Sequence, residues 1–85
     1  MDMNETQQYQ FGASREDYIR SVITTVYAAL KEKGYNPVSQ MVGYILSGDP
    51  TYITSYKSAR SLIMKVERDE ILEELMENYI ETRLR

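Results

Sequence analysis

The sequence predicts an all-α protein, a compact homodimeric bundle of four short helices plus one helical turn, preceded by a disordered leader. Apolar residues recur at helical spacing in several stretches. Helix-start signals stand at Ser14, at Asn36-Pro37 and at Asp49-Pro50. A chain of 85 residues buries a marginal core, and it has no cysteine with which to add a disulfide. Dimerisation is therefore the remaining way to bury more apolar surface.

The composition argues against an enzyme. Histidine is absent as well as cysteine, which removes the commonest general acid/base and the commonest metal ligands. The four glycines stand singly, so no phosphate-cradling loop is present. We therefore predict no catalytic residue, no cofactor and no metal. No apolar run reaches the ~18 residues that span a bilayer, and no signal peptide opens the chain. The expectation is a cytoplasmic protein without direct membrane insertion.

Residues 1–13 are predicted to be a disordered leader ahead of a helical domain at 14–85. They are rich in Gln, Asn and acid, and they lack helical periodicity. Thr6, beside Glu5, is a candidate phosphorylation site, the alternative being an ordinary polar tail residue. Tyr9 and Phe11 are unusual in a tail. They are either a docking element or residues that pack back onto the domain.

The first helix is predicted to begin after Ser14, whose hydroxyl can accept the amide of Asp17. Gly34 suits the left-handed position that ends it. The apolar residues predicted to share one face are Tyr18, Ile19, Val22, Ile23, Val26, Tyr27 and Leu30.

The second helix is predicted to run from Pro37 to Ser47, with Gly48 after it and a single turn from Pro50 through Ile53. Gly43 costs a helix about 1 kcal/mol relative to Ala, so we expect another helix to pack very close to it. Tyr44 is expected to face a seam or solvent. The candidate dimer seam comprises Val38, Met41, Val42, Gly43 and Ile45.

Thr54 or Ser55 is predicted to cap a third helix, whose apolar stripe is Ala59, Leu62, Ile63 and Val66. A new stripe then begins, formed by Ile71, Leu72, Leu75, Met76, Tyr79 and Ile80. The slip in phase indicates either a break with Asp69 as the next cap or one bent helix, and we favour the break.

The charge distribution is asymmetric although the net charge is −3. Residues 55–68 carry four basic residues against Glu67, a balance of +3, whereas residues 69–85 have a balance of −4. This pattern suits docking onto a charged partner or onto a second copy, the alternative being two solvated helix faces. The candidate partner-binding residues are Lys57, Arg60, Lys65 and Arg68.

A DNA-binding helix-turn-helix is the alternative function, with the second and third helices as its two helices. The acidic balance and the following acidic helix oppose contact with phosphates. The linker is also longer than the usual turn. We therefore predict that the protein does not bind nucleic acid.

Residues 26–75 resemble the IreB family of small regulatory phosphoproteins of Gram-positive bacteria, also called ReoM. The resemblance is carried by KEKGYNP at 31–37, VGYILSGDP at 42–50, the Ala59-Arg60 pair and ERDEILEEL at 67–75. The leader is similar too, with a threonine after an acidic residue followed by an aromatic pair.

The resemblance implies a non-catalytic, all-helical homodimer. It implies that a transmembrane PASTA Ser/Thr kinase and its cognate phosphatase act on Thr6. It further implies control of the cell-envelope stress response and cephalosporin tolerance. It also implies control of peptidoglycan precursor synthesis through protein partners. These partners would act on the Clp-dependent proteolysis of the enzyme that commits UDP-N-acetylglucosamine to peptidoglycan, called the committing enzyme below. We expect the phosphorylated leader to fold back onto the basic third helix and to compete with the partner there.

The sequence departs from the family pattern at three points. Some members carry two leader threonines, whereas this leader has Thr6 alone. Related sequences tend to have basic residues where Ser55 and Met64 stand, so the basic face of the third helix is thinner. Arg60 and Arg68 are the arginines that match.

Overall fold

The computed structural model describes residues 14–85, and the predictions on the leader, including Thr6, lie outside them. Four α-helices follow one another, with two 3₁₀ segments between the second and the third. They are α1 Arg15–Glu32, α2 Pro37–Ser47, the 3₁₀ segments Pro50–Tyr52 and Tyr56–Ser58, α3 Ala59–Ile63 and α4 Arg68–Arg83. No strand occurs between residues 14 and 85, which confirms the all-helical prediction for that range.

Helix α1 has the predicted ends. Ser14 Oγ accepts the backbone N–H of Asp17 at 3.0 Å. At the other end Gly34 adopts φ +86°, and the N–H of Tyr35 donates to the carbonyl of Leu30 at 2.9 Å. Both ends therefore follow from local sequence.

Helix α2 and the first 3₁₀ segment also begin as predicted. Asn36 Oδ1 accepts the N–H of Ser39 at 3.0 Å, and Asp49 Oδ1 accepts the N–H of Thr51 at 3.0 Å. Gly48 ends α2 with φ +76°. The same pairing of a capping side chain with a following proline starts both elements.

The expectation of a helix packed on Gly43 was wrong, because an aromatic ring takes that place. A Cβ at Gly43 would clash with Cε1 of Tyr52, a residue of the first 3₁₀ segment. Gln40 Nε2 holds this segment by donating to the Tyr52 carbonyl at 2.9 Å. Tyr44, expected at a seam or in solvent, is buried in the core.

The predicted third helix is largely replaced by a 3₁₀ segment and a left-handed kink. Thr54 Oγ1 accepts the N–H of Tyr56 at 3.2 Å, but Lys57 and Ser58 have φ of +52° and +61°. The five-residue α3 follows this kink, and its Ala59 and Ile63 are fully buried. Capping patterns did not indicate the kink because neither Lys57 nor Ser58 is a typical left-handed residue.

The predicted break before the last helix is confirmed, but its cap is Glu67 rather than Asp69. The N–H of Glu67 donates to Glu70 Oε1 at 2.9 Å, as in a capping box. Because Glu70 satisfies this N–H, α4 begins at Arg68, before the first apolar residue of its stripe.

The core gathers side chains from α1, from Met41 and Tyr44 of α2, from Ile53 after the first 3₁₀ segment, from α3 and from the start of α4. Tyr18 and Tyr27, predicted on the buried face of α1, lie at its edge and are 36% and 45% exposed. Ala29 takes a core position instead. The largest fully buried side chains are Val22, Val26, Leu30, Ile53, Ile63 and Ile71.

Helix α4 contributes little to this core. Ile71 and Glu74 are its buried residues. The rest of the predicted stripe, Leu72, Leu75, Met76, Tyr79 and Ile80, is exposed on the surface of the single chain. The helical period in α4 was thus predicted, but most of its apolar stripe does not join the core.

Candidate functional site

The side chain of Lys57 contacts the C-terminal end of α1. Its Nζ is 3.2 Å from Glu32 Oε1, and the Tyr56 hydroxyl donates to Glu32 Oε2 at 2.7 Å. The hydrogen bond from Tyr56 and then the one from Lys57 lower the pKa of the Glu32 carboxyl. Lys33 Nζ stands 5.1 Å from the centre of the Tyr56 ring. This end of α1 therefore collects two lysines around one tyrosine.

Arg60 and Arg68 are tied to backbone carbonyls. Arg60 Nε donates to the carbonyl of Ile53 at 2.8 Å, and Arg68 Nη1 donates to that of Ile45 at 2.9 Å. A Cβ at Gly48 would lie 2.9 Å from the Arg68 guanidinium carbon, so glycine leaves room for this side chain. Lys65 is exposed. Lys57, Arg60 and Arg68 thus have three different intramolecular partners.

The geometry does not support the helix-turn-helix alternative. Residues 48–58 separate α2 from α3, and α3 has five residues. A recognition helix must be long enough to lie in the major groove while presenting several side chains to the bases. The five residues of α3 include two, Ala59 and Ile63, that are buried in the core.

Two arginine–glutamate pairs join α1 to α4. Arg15 binds Glu70 through two hydrogen bonds, from Nη2 at 2.8 Å and from Nε at 3.0 Å. Arg20 Nε donates to Glu74 Oε2 at 2.6 Å, and the Glu74 side chain is 7% exposed. The hydrogen bond from Arg15, followed by the N–H of Glu67, lowers the pKa of Glu70 to about 2.

Carboxylates gather next to these pairs. Oxygens of Glu16, Glu74 and Glu77 lie within 4.8 Å of one another. Such oxygens suit a hard cation. The guanidinium of Arg20 already neutralises Glu74, so this cluster is accounted for by the ion pair between the two helices.

An apolar groove lies between α1, α2 and α4, with a volume of about 330 Å³. Of the five predicted seam residues, Val38, Met41, Val42 and Ile45 line it, whereas Gly43 lies under Tyr52 instead. The other lining residues are Ile23, Thr24, Tyr27 and Leu75. Val38 and Val42 are 69% and 47% exposed, but Met41 is 8% exposed and belongs to the core.

The sequence pattern did not indicate the part that α1 plays in this groove, because it predicts only that Ile23 and Tyr27 share one face of α1. One signal could have placed Tyr27 at the edge. Lys31 lies one turn later on the same face, and its Nζ is 3.4 Å from the Tyr27 hydroxyl. A lysine and a tyrosine hydroxyl in contact indicate an edge open to water.

None of the helices within residues 14–85 has both the length and the apolar composition needed to cross a membrane.

Comparisons with known proteins give one consistent answer. The family model described as IreB regulatory phosphoprotein matches residues 4–81. The UPF0297 protein of Lachnoclostridium phytofermentans is 61% identical over 84 residues, which are 99% of this chain and 96% of the relative. That of Ruminiclostridium cellulolyticum is 54% identical over 81 residues, 95% of this chain and 92% of the relative. The chain therefore belongs to the IreB family of regulatory phosphoproteins.

Proposed function

We propose that the chain is a non-catalytic regulatory phosphoprotein whose phosphate acceptor is Thr6. A transmembrane PASTA Ser/Thr kinase adds the phosphate on the cytoplasmic side, and the cognate phosphatase removes it. The observation that carries this proposal is the family match, because it spans residues 4–81 and so includes Thr6 together with the helical domain. Phosphorylation adds about −1.5 to −2 charges to a leader that already contains Asp2 and Glu5.

The proposed output is control of the cell envelope. The unphosphorylated and phosphorylated forms differ in their affinity for a protein partner that takes part in the control of peptidoglycan precursor synthesis. That partner sets the Clp-dependent proteolysis of the committing enzyme, and with it cephalosporin tolerance. The family resemblance of residues 26–75 supports this part of the proposal.

The proposed docking residues for the partner are Lys57, Arg60, Lys65 and Arg68. Lys57, Lys65 and Arg68 are exposed, and Lys57 is paired with Glu32. Arg60 and Arg68 hold the Ile53 and Ile45 carbonyls with one nitrogen each. Their remaining guanidinium N–H groups can serve a carboxylate or a phosphate. A phosphate on Thr6 would compete with the partner for these donors.

We further propose a homodimer that covers the exposed apolar side chains of α2 and α4. On α2 these are Val38, Val42 and Leu46, which are 69%, 47% and 79% exposed. On α4 they are Leu72 and Met76, which are 47% and 54% exposed. Neighbouring exposed apolar residues of this number are typical of a protein interface rather than of an isolated surface. A second copy would extend the marginal core of the single chain.

Intact-mass measurement of the protein recovered from its native host tests the acceptor. We expect one added phosphate after cephalosporin treatment in the wild type and in the leader control Gln7→Ala. Thr6→Ala should carry none. A phosphate retained by Thr6→Ala would contradict the assignment.

The output is tested in strains that carry Thr6→Ala or Thr6→Glu. We expect the two strains to differ in cephalosporin tolerance and in the half-life of the committing enzyme. Equal tolerance and equal half-lives would contradict control through Thr6.

A further inference from the structure

A continuous groove leads from the start of α1 to the apolar cavity described above. Its first part is polar and includes Glu16 and Arg20 on α1 and Asn78 on α4. A middle part of about 290 Å³ shares Arg20 and Asn78 with the first. It shares Ile23, Thr24 and Leu75 with the apolar cavity. The three parts therefore form one path along α1, which begins two residues after Ser14, where the leader joins the domain.

The leader is long enough to follow this path back along α1. Tyr9 is five residues before Ser14, so it reaches about 17 Å when extended. Ile23 is nine residues after Ser14, about 14 Å along the helix axis. Phe11 reaches about 10 Å, which matches the position of Arg20 at about 9 Å. Gly12 suits the reversal of direction that this path requires.

The composition of the leader matches the polarity of the groove. Tyr9 and Phe11 are two residues apart, so in an extended segment both rings point to the same side. Gln8 and Gln10 then point to the other side, towards solvent. The apolar cavity of about 330 Å³ is large enough for one aromatic side chain. The polar part of the path is lined by Glu16, Glu77 and Glu81 as well as Arg20. The leader residues that the path places there, 11–13, are uncharged.

We propose that the leader of the same chain docks in this groove, with Tyr9 in the apolar cavity and Phe11 beside Arg20. Docking uses the floor of the groove, formed by Ile23, Met41 and Leu75. Leu46 on α2 and Leu72 and Met76 on α4 are exposed and do not line the cavity, so they remain for a second copy. The inference does not depend on phosphorylation, since the unmodified leader provides both rings.

A spin label on the leader tests this proposal in the full chain. Because the chain has no cysteine, Gln8→Cys gives one unique attachment site on the side turned away from the groove. The nitroxide should reduce the intensity of the methyl signals of Ile23, Val42 and Leu75 relative to the reduced label. Tyr9→Ser in the labelled chain should abolish this loss. The matched control Gln10→Ser should preserve it.

Three outcomes would overturn the proposal. The first is no loss at the groove methyls, which would leave the groove to a second copy. The second is a loss that Tyr9→Ser does not change. The third comes from mixing isotope-enriched chains that carry no spin label with spin-labelled chains at natural isotope abundance. An equal loss of methyl signal in this mixture would show that the leader enters the groove of another molecule. All three use unphosphorylated protein, so the assignment of Thr6 is unaffected by them.

Discussion

Helices α1 and α4 have similar lengths, and their apolar residues recur at similar spacing, but those residues are buried to different extents. Helix α1 buries Ile19, Val22, Val26, Ala29 and Leu30 within the single chain. Helix α4 buries Ile71 and Glu74, and its Leu72, Met76 and Tyr79 remain exposed. One helix supplies the core, whereas the other carries a second apolar surface on its outer side.

The difference arises from what faces α1. One turn after Ile71, the position directed at α1 is occupied by Glu74, which binds Arg20. One turn before Glu74, Glu70 binds Arg15. Because charged pairs join α4 to α1, Leu72, Met76 and Tyr79 are left on the other side of α4. The spacing of apolar residues along a helix therefore does not by itself predict whether they pack within the same chain or against another one.

The largest expected effect separates two adjacent residues of α4. Ile71→Ala should lower the free energy of unfolding by about 2–5 kcal/mol, because it empties a fully buried site. Leu72→Ala should change the free energy of unfolding of the dissociated chain by no more than about 0.5 kcal/mol. Urea denaturation at a concentration that dissociates the protein measures both. Equal losses would remove the distinction between the two sides of α4.

The next effect concerns the ion pairs between α1 and α4. Arg20→Ala leaves the buried carboxylate of Glu74 without its partner, whereas Arg15→Ala breaks a pair whose members are both accessible to water. We expect Arg20→Ala to lower the melting temperature more than Arg15→Ala does. Thermal unfolding followed by circular dichroism measures the two variants. The reverse order would contradict the structural role given to Glu74.

A smaller effect, with a change of sign, tests the packing on α2. Gly43→Ala should destabilise the wild type, since the Tyr52 ring must move. In a Tyr52→Ala background the same substitution should stabilise α2 by up to about 1 kcal/mol, because Ala is the better helix former. A double-mutant cycle in urea measures this coupling. The same sign in both backgrounds would show that the ring does not require glycine.

The smallest effect is a dependence on pH. The pKa of Glu70 is lowered to about 2 by Arg15 and by the Glu67 N–H, so the ionised form stabilises the fold. This contribution is complete above the ordinary value of 4.5 and is lost as the pH falls towards 2. Glu70→Gln should reduce the fall in the free energy of unfolding between pH 4.5 and pH 2, measured by urea denaturation at each pH. Glu73→Gln, on an exposed neighbour, is the control and should leave it unchanged.

Local chemistry predicted most helix boundaries. Ser14, Asn36 and Asp49 cap the elements that follow them, and Gly34 and Gly48 adopt the left-handed backbone at helix ends. These interactions lie within a few residues of one another, so the sequence alone contains them.

The errors depend on contacts between distant residues. The ring over Gly43 comes from Tyr52, and the left-handed backbone at Lys57 and Ser58 directly precedes Ala59, which is fully buried. Of the candidate site, four residues predicted to form a dimer seam line the groove, and the seam itself stays a prediction. The sequence did not predict the contributions of Ile23 and Leu75, which require knowledge of how α1 and α4 cross.

The most direct test of the account is the mass of the protein in solution. Analytical ultracentrifugation at low micromolar concentration should give twice the 9.9 kDa mass of the chain for the wild type. Met76→Glu places a charge on the outer side of α4 and should give a folded monomer. Glu73→Gln is the control and should remain dimeric. A wild type that sediments as a folded monomer would show that the apolar side of α4 is not an interface between copies.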